Sequence, residues 1–137
     1  MERKIYITED DLKNIRKALQ DPTYNNLRNK PYIEQLQQEL ERAVICPSTD
    51  IPADVITMHS RVVLLDLESR EETELTLVYP GEPTNEHDVS VLAPIGIAMI
   101  GYRLKDVFEW ETPGGMRRLQ VKNVLFQPES AERKAEV

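Results

Sequence analysis

Apolar positions near the N-terminus recur with helical spacing and predict a first short helix. Leu12, Ile15 and Leu19 stand at i, i+3 and i+7 behind Thr8, whose hydroxyl suits a helix N-cap. The pattern stops just before Pro22, because proline disfavours helical geometry in the residue that precedes it. The sequence therefore predicts a short helix of about 13 to 15 residues that begins at Thr8.

A second apolar series predicts another helix after Pro31, which fits a first helical position. Its apolar residues are Ile33, Leu36, Leu40 and Ala43, and the series ends before Pro47. The spacing is that of a coiled-coil seam, so the two segments predict an antiparallel helical hairpin. At the rise of an α-helix such a hairpin projects only about 20 Å. The residues expected at its tip are Tyr24, Asn25, Asn26 and Arg28.

Beyond Asp54 the period of the pattern changes from helical spacing to strict alternation, which is typical of β-strands. Phe108 and Trp110, for example, alternate with acidic neighbours and indicate a sheet with one covered face. The predicted strands are 55–58, 61–67, 74–79, 107–111 and 119–126. A Thr-Pro-Gly-Gly turn at 112–115 predicts a hairpin between the last two, so the sheet is expected to be antiparallel.

One short helix is expected to cover this sheet. It begins with proline at Pro94, runs through an Ala/Ile/Met segment to Ile100 and stops at Gly101. The chain is thus predicted to be an α+β protein. Residues 1–50 form the hairpin and a proline-containing linker, residues 51–128 form the sheet domain, and the mostly charged residues 129–137 form a loose tail.

Composition and charge narrow the class of partner. The chain has 137 residues, of which 40% are hydrophobic, so it can bury a core and fold alone. Its net charge is −7, and residues 51–137 carry 9 basic against 15 acidic side chains, or −6 of that total. Such a surface repels phosphate, so direct nucleic-acid binding is not expected. A protein partner with basic patches fits better.

The sequence also predicts a cytoplasmic protein. The longest apolar run, residues 89–100, is broken by a serine, a proline and a glycine and is too short to span a membrane. The N-terminus has no apolar segment of the kind found in secretion signals. A single cysteine, Cys46, allows no internal disulfide, which agrees with a reducing compartment.

The sequence carries no residue pattern typical of catalysis or metal binding. The chain has no Walker loop, dinucleotide-binding fingerprint, nucleophile elbow or zinc-protease motif. His59, His87 and Cys46 are separated by intervals that match no zinc site. The acidic residues near Glu72 lack a ligand loop and are interpreted as a solvated edge. The sequence therefore predicts neither an enzyme nor a cofactor or metal site.

A resemblance to a known family emerges around the short helix. The stretch Ser90-Val91-Leu92-Ala93-Pro94-Ile95-Gly96, followed by Ala98, Gly101, Asp106 and Thr112-Pro113-x-Gly115, resembles the C-terminal domain of the Gre transcription elongation factors. Met58-x-Ser60-x-Val62, Leu77-Val78-Tyr79-Pro80 and the short hairpin look most like the Rnk family of nucleoside diphosphate kinase regulators. Together the motifs cover residues 5–128.

This resemblance implies a fold and a partner. The fold is an FKBP-like antiparallel sheet wrapped on a short helix. The partner is RNA polymerase, because Gre-type proteins dock this domain on the rim of the polymerase secondary channel and insert the hairpin. The residues that match the docking loop are Ser90, Ala93, Pro94, Ile95 and Gly96. The protein is expected to act there as a monomer.

Two departures from the Gre pattern change the expected function. The Gre loop commonly carries serine where this chain has Ala93, so a hydroxyl contact is lost. Gre factors also stimulate transcript cleavage with acidic residues at the tip of a long arm. Here the connector 21–31 has one acid, Asp21, and basic residues at Arg28 and Lys30. The sequence thus predicts a non-enzymatic regulator that competes with Gre-type factors without stimulating cleavage.

Two other functions remain open at this point. The family name suggests a binding module whose target is another enzyme, such as a nucleoside diphosphate kinase. An FKBP-like fold suggests a peptidyl-prolyl isomerase or chaperone, although such a site needs a deep aromatic pocket and the chain has few aromatic residues to build one.

Overall fold

The computed structural model describes residues 4–24, 30–82, 85–112 and 114–135. Two helices come first, a sheet follows, and further helices lie within and after it. In chain order the elements are β1 (Tyr6–Ile7), α1 (Glu9–Gln20), α2 (Lys30–Glu41), β2 (Val44–Ile45), β3 (Arg61–Asp66), β4 (Glu72–Val78), β5 (Asp88–Ser90), α3 (Pro94–Met99), β6 (Val107–Thr112), β7 (Gly115–Phe126) and α4 (Pro128–Ala135). Short 3-10 turns occupy Pro22–Tyr24 and Ser48–Asp50.

Both predicted N-terminal helices are present. The Thr8 hydroxyl caps α1 by accepting a 3.2 Å hydrogen bond from the Asp11 amide. Acidic side chains fill the first turn, where they complement the positive end of the helix dipole. The helix ends at Asp21, next to Pro22, as the sequence predicts. The apolar positions of both helices are buried, namely Leu12, Ile15, Leu19, Ile33, Leu36 and Leu40.

A pair of very short strands joins the two ends of the hairpin. β1 pairs with β2 in parallel, through hydrogen bonds from the Val44 amide to the Ile5 carbonyl (2.8 Å) and from the Cys46 amide to the Ile7 carbonyl (3.1 Å). The sequence did not predict these strands, because two residues are too few to show an alternating pattern. The pair brings the residues that precede α1 beside those that follow α2.

The main sheet has five strands in the order β5-β4-β3-β7-β6. β3 lies in the centre and runs antiparallel to both β4 and β7, and β6 and β7 form the predicted hairpin with Thr112 opposite Gly115. Gly115 has a φ of +115°, a conformation that favours glycine. The predicted strands 61–67, 74–79, 107–111 and 119–126 are therefore confirmed within a few residues.

The sheet is mixed, and the prediction of an entirely antiparallel sheet is wrong at one edge. β5 pairs in parallel with β4, with Leu77 opposite Val89. Because β5 is only three residues long, it is too short to show a recognisable alternating pattern. Its direction follows from the connection after β4, which brings the chain back so that Asp88 lies opposite Thr76 and Ser90 opposite Val78.

The predicted strand at 55–58 is also wrong. Val55 makes one isolated bridge to Arg103, and Val55, Ile56 and Met58 are all buried instead of alternating. A tight turn follows, in which the Thr57 amide donates to the Ser60 hydroxyl (2.9 Å). His59 within this turn has a φ of +65°, which ends any extended run.

One hydrophobic cluster unites the hairpin with the sheet. Ile15 of α1 and Leu36 of α2 are fully buried in the same cluster as Leu64, Ile97 and Val121. The Tyr79 hydroxyl donates a 2.6 Å hydrogen bond to Asp11 near the start of α1. At the other end of the helix, a Cβ placed on Gly81 would lie 2.6 Å from the Tyr24 hydroxyl. The described part of the hairpin thus shares one core with the sheet domain, and α2 packs against α3.

Trp110 is less buried than its alternating pattern predicts. It packs against the edge of the hydrophobic cluster as a half-buried residue, whereas Phe108, two positions earlier, is 3% exposed. The indole Nε1 of Trp110 is nevertheless buried and makes no hydrogen bond within the described residues. The residues on this face of β6 are therefore less buried at Trp110, near the turn, than at Phe108.

The C-terminal residues form helix α4, which differs from the loose tail expected for 129–137. Gln127 fixes the start of the helix, since its side chain accepts from the Ser130 amide (3.2 Å) and donates to the carbonyls of Pro52 and Val55 (2.7 Å each). Glu129, in the first turn, is 7% exposed. These contacts are tertiary, which is why local composition did not predict them.

Candidate protein-binding loop

The segment Ser90–Gly96, called the Ser90–Gly96 turn, runs from the last residue of β5 through a tight turn into the first residues of α3. The Ser90 hydroxyl accepts from the Leu92 amide at 3.1 Å, and the Ser90 carbonyl accepts from the Ala93 amide at 3.0 Å. Ala93 is the N-cap of α3, and its carbonyl accepts from the Ile97 amide at 2.9 Å. Alanine offers no side-chain cap, and none is formed. The turn is therefore held by its main chain and by the hydroxyl of Ser90.

Gly96 holds the two ends of this turn together. A Cβ at this position would overlap the Ser90 carbonyl oxygen and lie 3.1 Å from the Val91 Cα. Both obstructing groups belong to the backbone, which cannot turn aside as a flexible side chain can. The sequence placed Gly96 in the docking loop, and the structure shows that it is buried and sets the close approach of α3 to β5.

The other docking-loop residues are partly accessible. Ser90, Ala93, Pro94 and Ile95 are all half-buried, and Ile95 packs against the hydrophobic cluster. Pro94 stands at the first position of α3, as the sequence predicts. The structure thus brings the five predicted residues into one turn whose main chain is well fixed and whose apolar side chains are partly in contact with solvent.

Only part of the predicted hairpin tip can be located. Tyr24 is half-buried and lies over Gly81, at the end of the 3-10 turn that follows α1. Asn25, Asn26 and Arg28 lie outside the described residues. Asp21, the one acid of the connector, accepts a 2.9 Å hydrogen bond from the Thr23 amide and so caps the turn.

The histidines whose spacing was compared with zinc sites each lie beside a single carboxylate among the described residues. His59 Nε2 lies 2.9 Å from a Glu82 carboxylate oxygen, and His87 lies 3.3 Å from Glu86. Burial, and then the negative charge of Asp50, raises the pKa of the Cys46 thiol above its ordinary value. Within the described ranges no three His, Cys, Asp or Glu side chains are grouped so that they could hold a metal ion.

Sequence reasoning missed a polar contact that links α1 to the sheet. Burial raises the pKa of the Tyr79 hydroxyl, and its hydrogen bond to the Asp11 carboxylate raises it further. The phenol therefore stays protonated and can keep donating to Asp11. Tyr79 ends an alternating strand pattern, but nothing in that pattern identifies Asp11 as its partner.

Comparison with known proteins shows that each of the two parts of the chain matches a known family. Residues 51–126 match the family described as "Transcription elongation factor, GreA/GreB, C-term", and residues 3–45 match "Rnk N-terminus". No helix among the described residues is long and apolar enough to cross a membrane.

Relatives and solved structures agree with both matches. The chain is 40% identical over 129 residues to "Regulator of nucleoside diphosphate kinase" from Escherichia coli K12, with 93% of each chain covered. It is 32% identical to "Transcription elongation factor GreA" from Clostridium beijerinckii over 67% of this chain and 58% of that protein. A solved "Prokaryotic transcription elongation factor GreA/GreB from Nitrosomonas europaea" superimposes with a TM-score of 0.75 at 34% identity, covering 91% of this chain and 100% of the other.

The sheet domain and its Ser90–Gly96 turn are thus those of a GreA/GreB-type regulator. The chain belongs to the Rnk family, as its N-terminal match and its near full-length similarity to the Escherichia coli protein show.

Proposed function

We propose that this protein is a non-enzymatic transcription regulator that binds RNA polymerase at the rim of the secondary channel through the Ser90–Gly96 turn. The observation that carries the proposal is the GreA/GreB family match, which spans the whole sheet domain and includes this turn. A binding role also agrees with the names of the relatives, which are regulators and transcription factors.

The turn has the physical properties of a binding loop. Its main chain is fixed by the Ser90 hydrogen bonds and by the close contact at Gly96, so little conformational entropy would be lost on binding. Pro94 and Ile95 add partly exposed apolar surface, which suits the centre of an interface. Because position 93 is alanine, the contact relies on shape and apolar area and not on a hydroxyl there.

We further propose that the protein does not stimulate transcript cleavage. Recruiting Mg²⁺ at an arm tip needs converging carboxylates, because hard oxygen ligands must offset the cost of dehydrating the ion. The connector 21–31 contributes Asp21, which already caps its own turn, and the basic residues Arg28 and Lys30 oppose a cation. The helices α1 and α2 have 12 residues each, which corresponds to about 18 Å at the rise of an α-helix, so the described arm is short.

Occupying the same rim would make the protein a competitor of Gre-type factors. We expect a monomer that acts in the cytoplasm. Its domain is expected to be FKBP-like, as the family resemblance implies, and its hairpin to be a coiled coil, as the spacing of the apolar residues predicts. A peptidyl-prolyl isomerase activity is not part of the proposal.

The binding site is tested by co-migration of the purified protein with core RNA polymerase on a sizing column. Ile95→Asp should weaken the complex by about 2 kcal/mol, the scale of an interface hot spot. Leu125→Asp is the matched control, because Leu125 is an exposed apolar residue on β7 outside the turn. Circular dichroism checks that both variants fold. Equal binding by folded Ile95→Asp and by the parent protein would place the interface elsewhere.

The functional consequence is tested on backtracked elongation complexes. The protein alone should leave the rate of RNA cleavage unchanged, and it should reduce the cleavage stimulated by an added Gre factor. Strong stimulation by the protein alone would contradict the argument from the missing carboxylates. No competition at concentrations where binding is demonstrated would place the protein on a different polymerase surface.

A second candidate function is direct regulation of a nucleoside diphosphate kinase. It is favoured by the name of the Escherichia coli relative, which is similar over 93% of this chain. Adding the protein to purified kinase and measuring phosphate transfer between nucleotides tests it. A change in rate that survives Ile95→Asp would show that this activity uses another surface of the protein.

A further inference from the structure

The short strand β2 has an open edge and carries an exposed apolar side chain. Val44 and Cys46 direct their amides toward β1. Since successive residues of a strand turn their main-chain groups to opposite sides, the N–H and C=O of Ile45 point away from β1. No hydrogen bond to these two groups is formed within the described ranges. The Ile45 side chain is 56% exposed, the highest value among the large hydrophobic residues of those ranges.

This residue lines a groove of about 630 Å³, which we call the edge groove. The groove lies between the end of β2 with the chain that follows it, the first turn of α1, and Glu129 and Glu132 of α4. Its lining residues are Thr8, Glu9, Asp10, Asp11, Ile45, Cys46, Pro47, Ser48, Glu129 and Glu132. Residues of the Ser90–Gly96 turn are not among them, so the edge groove is a separate surface from the proposed polymerase contact.

The charge of the edge groove determines which partner it fits. Among the lining residues that the structure describes, five carry carboxylates and none is a lysine or arginine. Two of the carboxylates are engaged, Asp11 by the Tyr79 hydroxyl and Glu129 by the Thr57 hydroxyl. Glu9, Asp10 and Glu132 form no ion pair with any lysine, arginine or histidine among the described residues. Cations from a partner would complement these groups, whereas nucleic acid would be repelled.

We propose that the edge groove binds an extended, lysine- or arginine-rich segment of a partner protein with one apolar residue at its centre. Extended segments commonly bind by adding to a free strand edge, where main-chain hydrogen bonds give affinity and side chains give specificity. Here the Ile45 main chain offers one donor and one acceptor, and its side chain offers an apolar contact. The carboxylates on either side select basic residues flanking the apolar one.

A second copy of this chain does not meet these requirements as well, because the protein itself carries a net charge of −7. Like charges that meet across an interface oppose association. The proposal therefore commits to a basic partner, and it stands or falls independently of polymerase binding at the other surface.

The test uses two synthetic peptides, Lys-Lys-Val-Lys-Lys and Lys-Lys-Ser-Lys-Lys, titrated into the 15N-labelled full-length protein and followed by NMR. The valine peptide should shift the amide signals of Ile45, Cys46 and Glu132, and the serine peptide should bind more weakly. Binding of both should weaken as salt is raised, because exposed charges are screened.

Matched variants decide between specific docking and general attraction to an acidic protein. Glu132→Lys should weaken binding of the valine peptide about threefold or more, because it replaces an attractive pair by a repulsive one. Glu74→Lys is the control, since it makes the same charge change at an exposed position on β4. Ile45→Ser should remove the preference for the valine peptide over the serine peptide.

Three results would overturn the proposal. One is equal weakening by Glu132→Lys and Glu74→Lys, which would mean that net charge alone attracts the peptide. Another is a set of shifted signals spread over the acidic surface of the sheet instead of the edge groove. The third is an unchanged preference for valine in a folded Ile45→Ser variant.

Discussion

The Thr57 hydroxyl donates a 2.7 Å hydrogen bond to the carboxylate of Glu129, a residue 72 positions further along the chain. Thr57 is 4% exposed and Glu129 is 7% exposed, so the pair is sealed from solvent. The Thr57 hydroxyl also lies 3.0 Å from that of Ser60. This buried contact attaches α4 to the turn that precedes β3.

Removing the carboxylate should therefore destabilise the protein. Glu129→Ala leaves the buried Thr57 hydroxyl short of an acceptor, and we expect the free energy of unfolding to fall by about 1 to 3 kcal/mol. Urea melts monitored by circular dichroism measure the change. Glu132→Ala, an exposed site on the same helix, should stay within about 0.5 kcal/mol of the parent. Equal effects of the two variants would mean that α4 contributes by helix propensity alone.

The backbone contact at Gly96 gives a second prediction. In Gly96→Ala the added methyl group meets the Ser90 carbonyl, so α3 must move away from β5 at a cost of about 1 to 3 kcal/mol or more. Gly114→Ala serves as a control, because a Cβ there would meet only the Thr112 hydroxyl oxygen at 3.8 Å. Thermal melts compare the two. A Gly96→Ala variant as stable as the parent would show that the turn can rearrange freely.

The unequal burial of two aromatic residues on β6 gives a third prediction. Phe108 is 3% exposed and stacks on Tyr102 with a ring-centroid distance of 5.0 Å, so Phe108→Ala should cost about 3 to 5 kcal/mol. Trp110→Ala should cost less, because Trp110 is half-buried and its buried indole N–H lacks a partner among the described residues. Urea denaturation of both variants tests the order, and the reverse order would contradict it.

Asp66 should contribute to the pH dependence of stability. The Glu68 amide donates a 2.9 Å hydrogen bond to the Asp66 carboxylate and holds the pKa of that carboxyl below its usual value. The Ser69 amide and the Arg117 guanidinium also lower this pKa, whereas partial desolvation raises it. A lowered pKa in the folded state means that the stabilisation is present above the ordinary pKa of aspartate, about 4, and is lost as the pH falls through the folded value.

The variant Asp66→Asn removes this titration. Urea melts at several pH values from 7 downward should show a shallower loss of stability on acidification for the variant than for the parent. Glu74→Gln, at an exposed strand position, should follow the parent curve. Parallel curves for Asp66→Asn and the parent would show that this carboxylate is not linked to folding.

Much of the fold follows from local sequence signals. The apolar repeat from Leu12 to Leu19 and the proline after it determine α1, because helix periodicity and proline geometry are properties of a few neighbouring residues. In the same way Pro94 and Gly101 delimit α3, where Gly101 has a φ of +87°. The order of motifs around Ser90 was also enough to indicate the GreA/GreB resemblance, which the family match confirms.

The sequence by itself thus determined α1, α2 and α3, most strands and the position of the candidate loop. Only the tertiary structure decided the parallel direction of β5, the helical C-terminus and the packing of α2 against α3 in the shared core. Each of these depends on partners distant along the chain, such as Thr57 for Glu129 and Tyr79 for Asp11. Such contacts leave no periodic pattern in the sequence, because their energy comes from burial and hydrogen bonding between segments and not from local conformational preference.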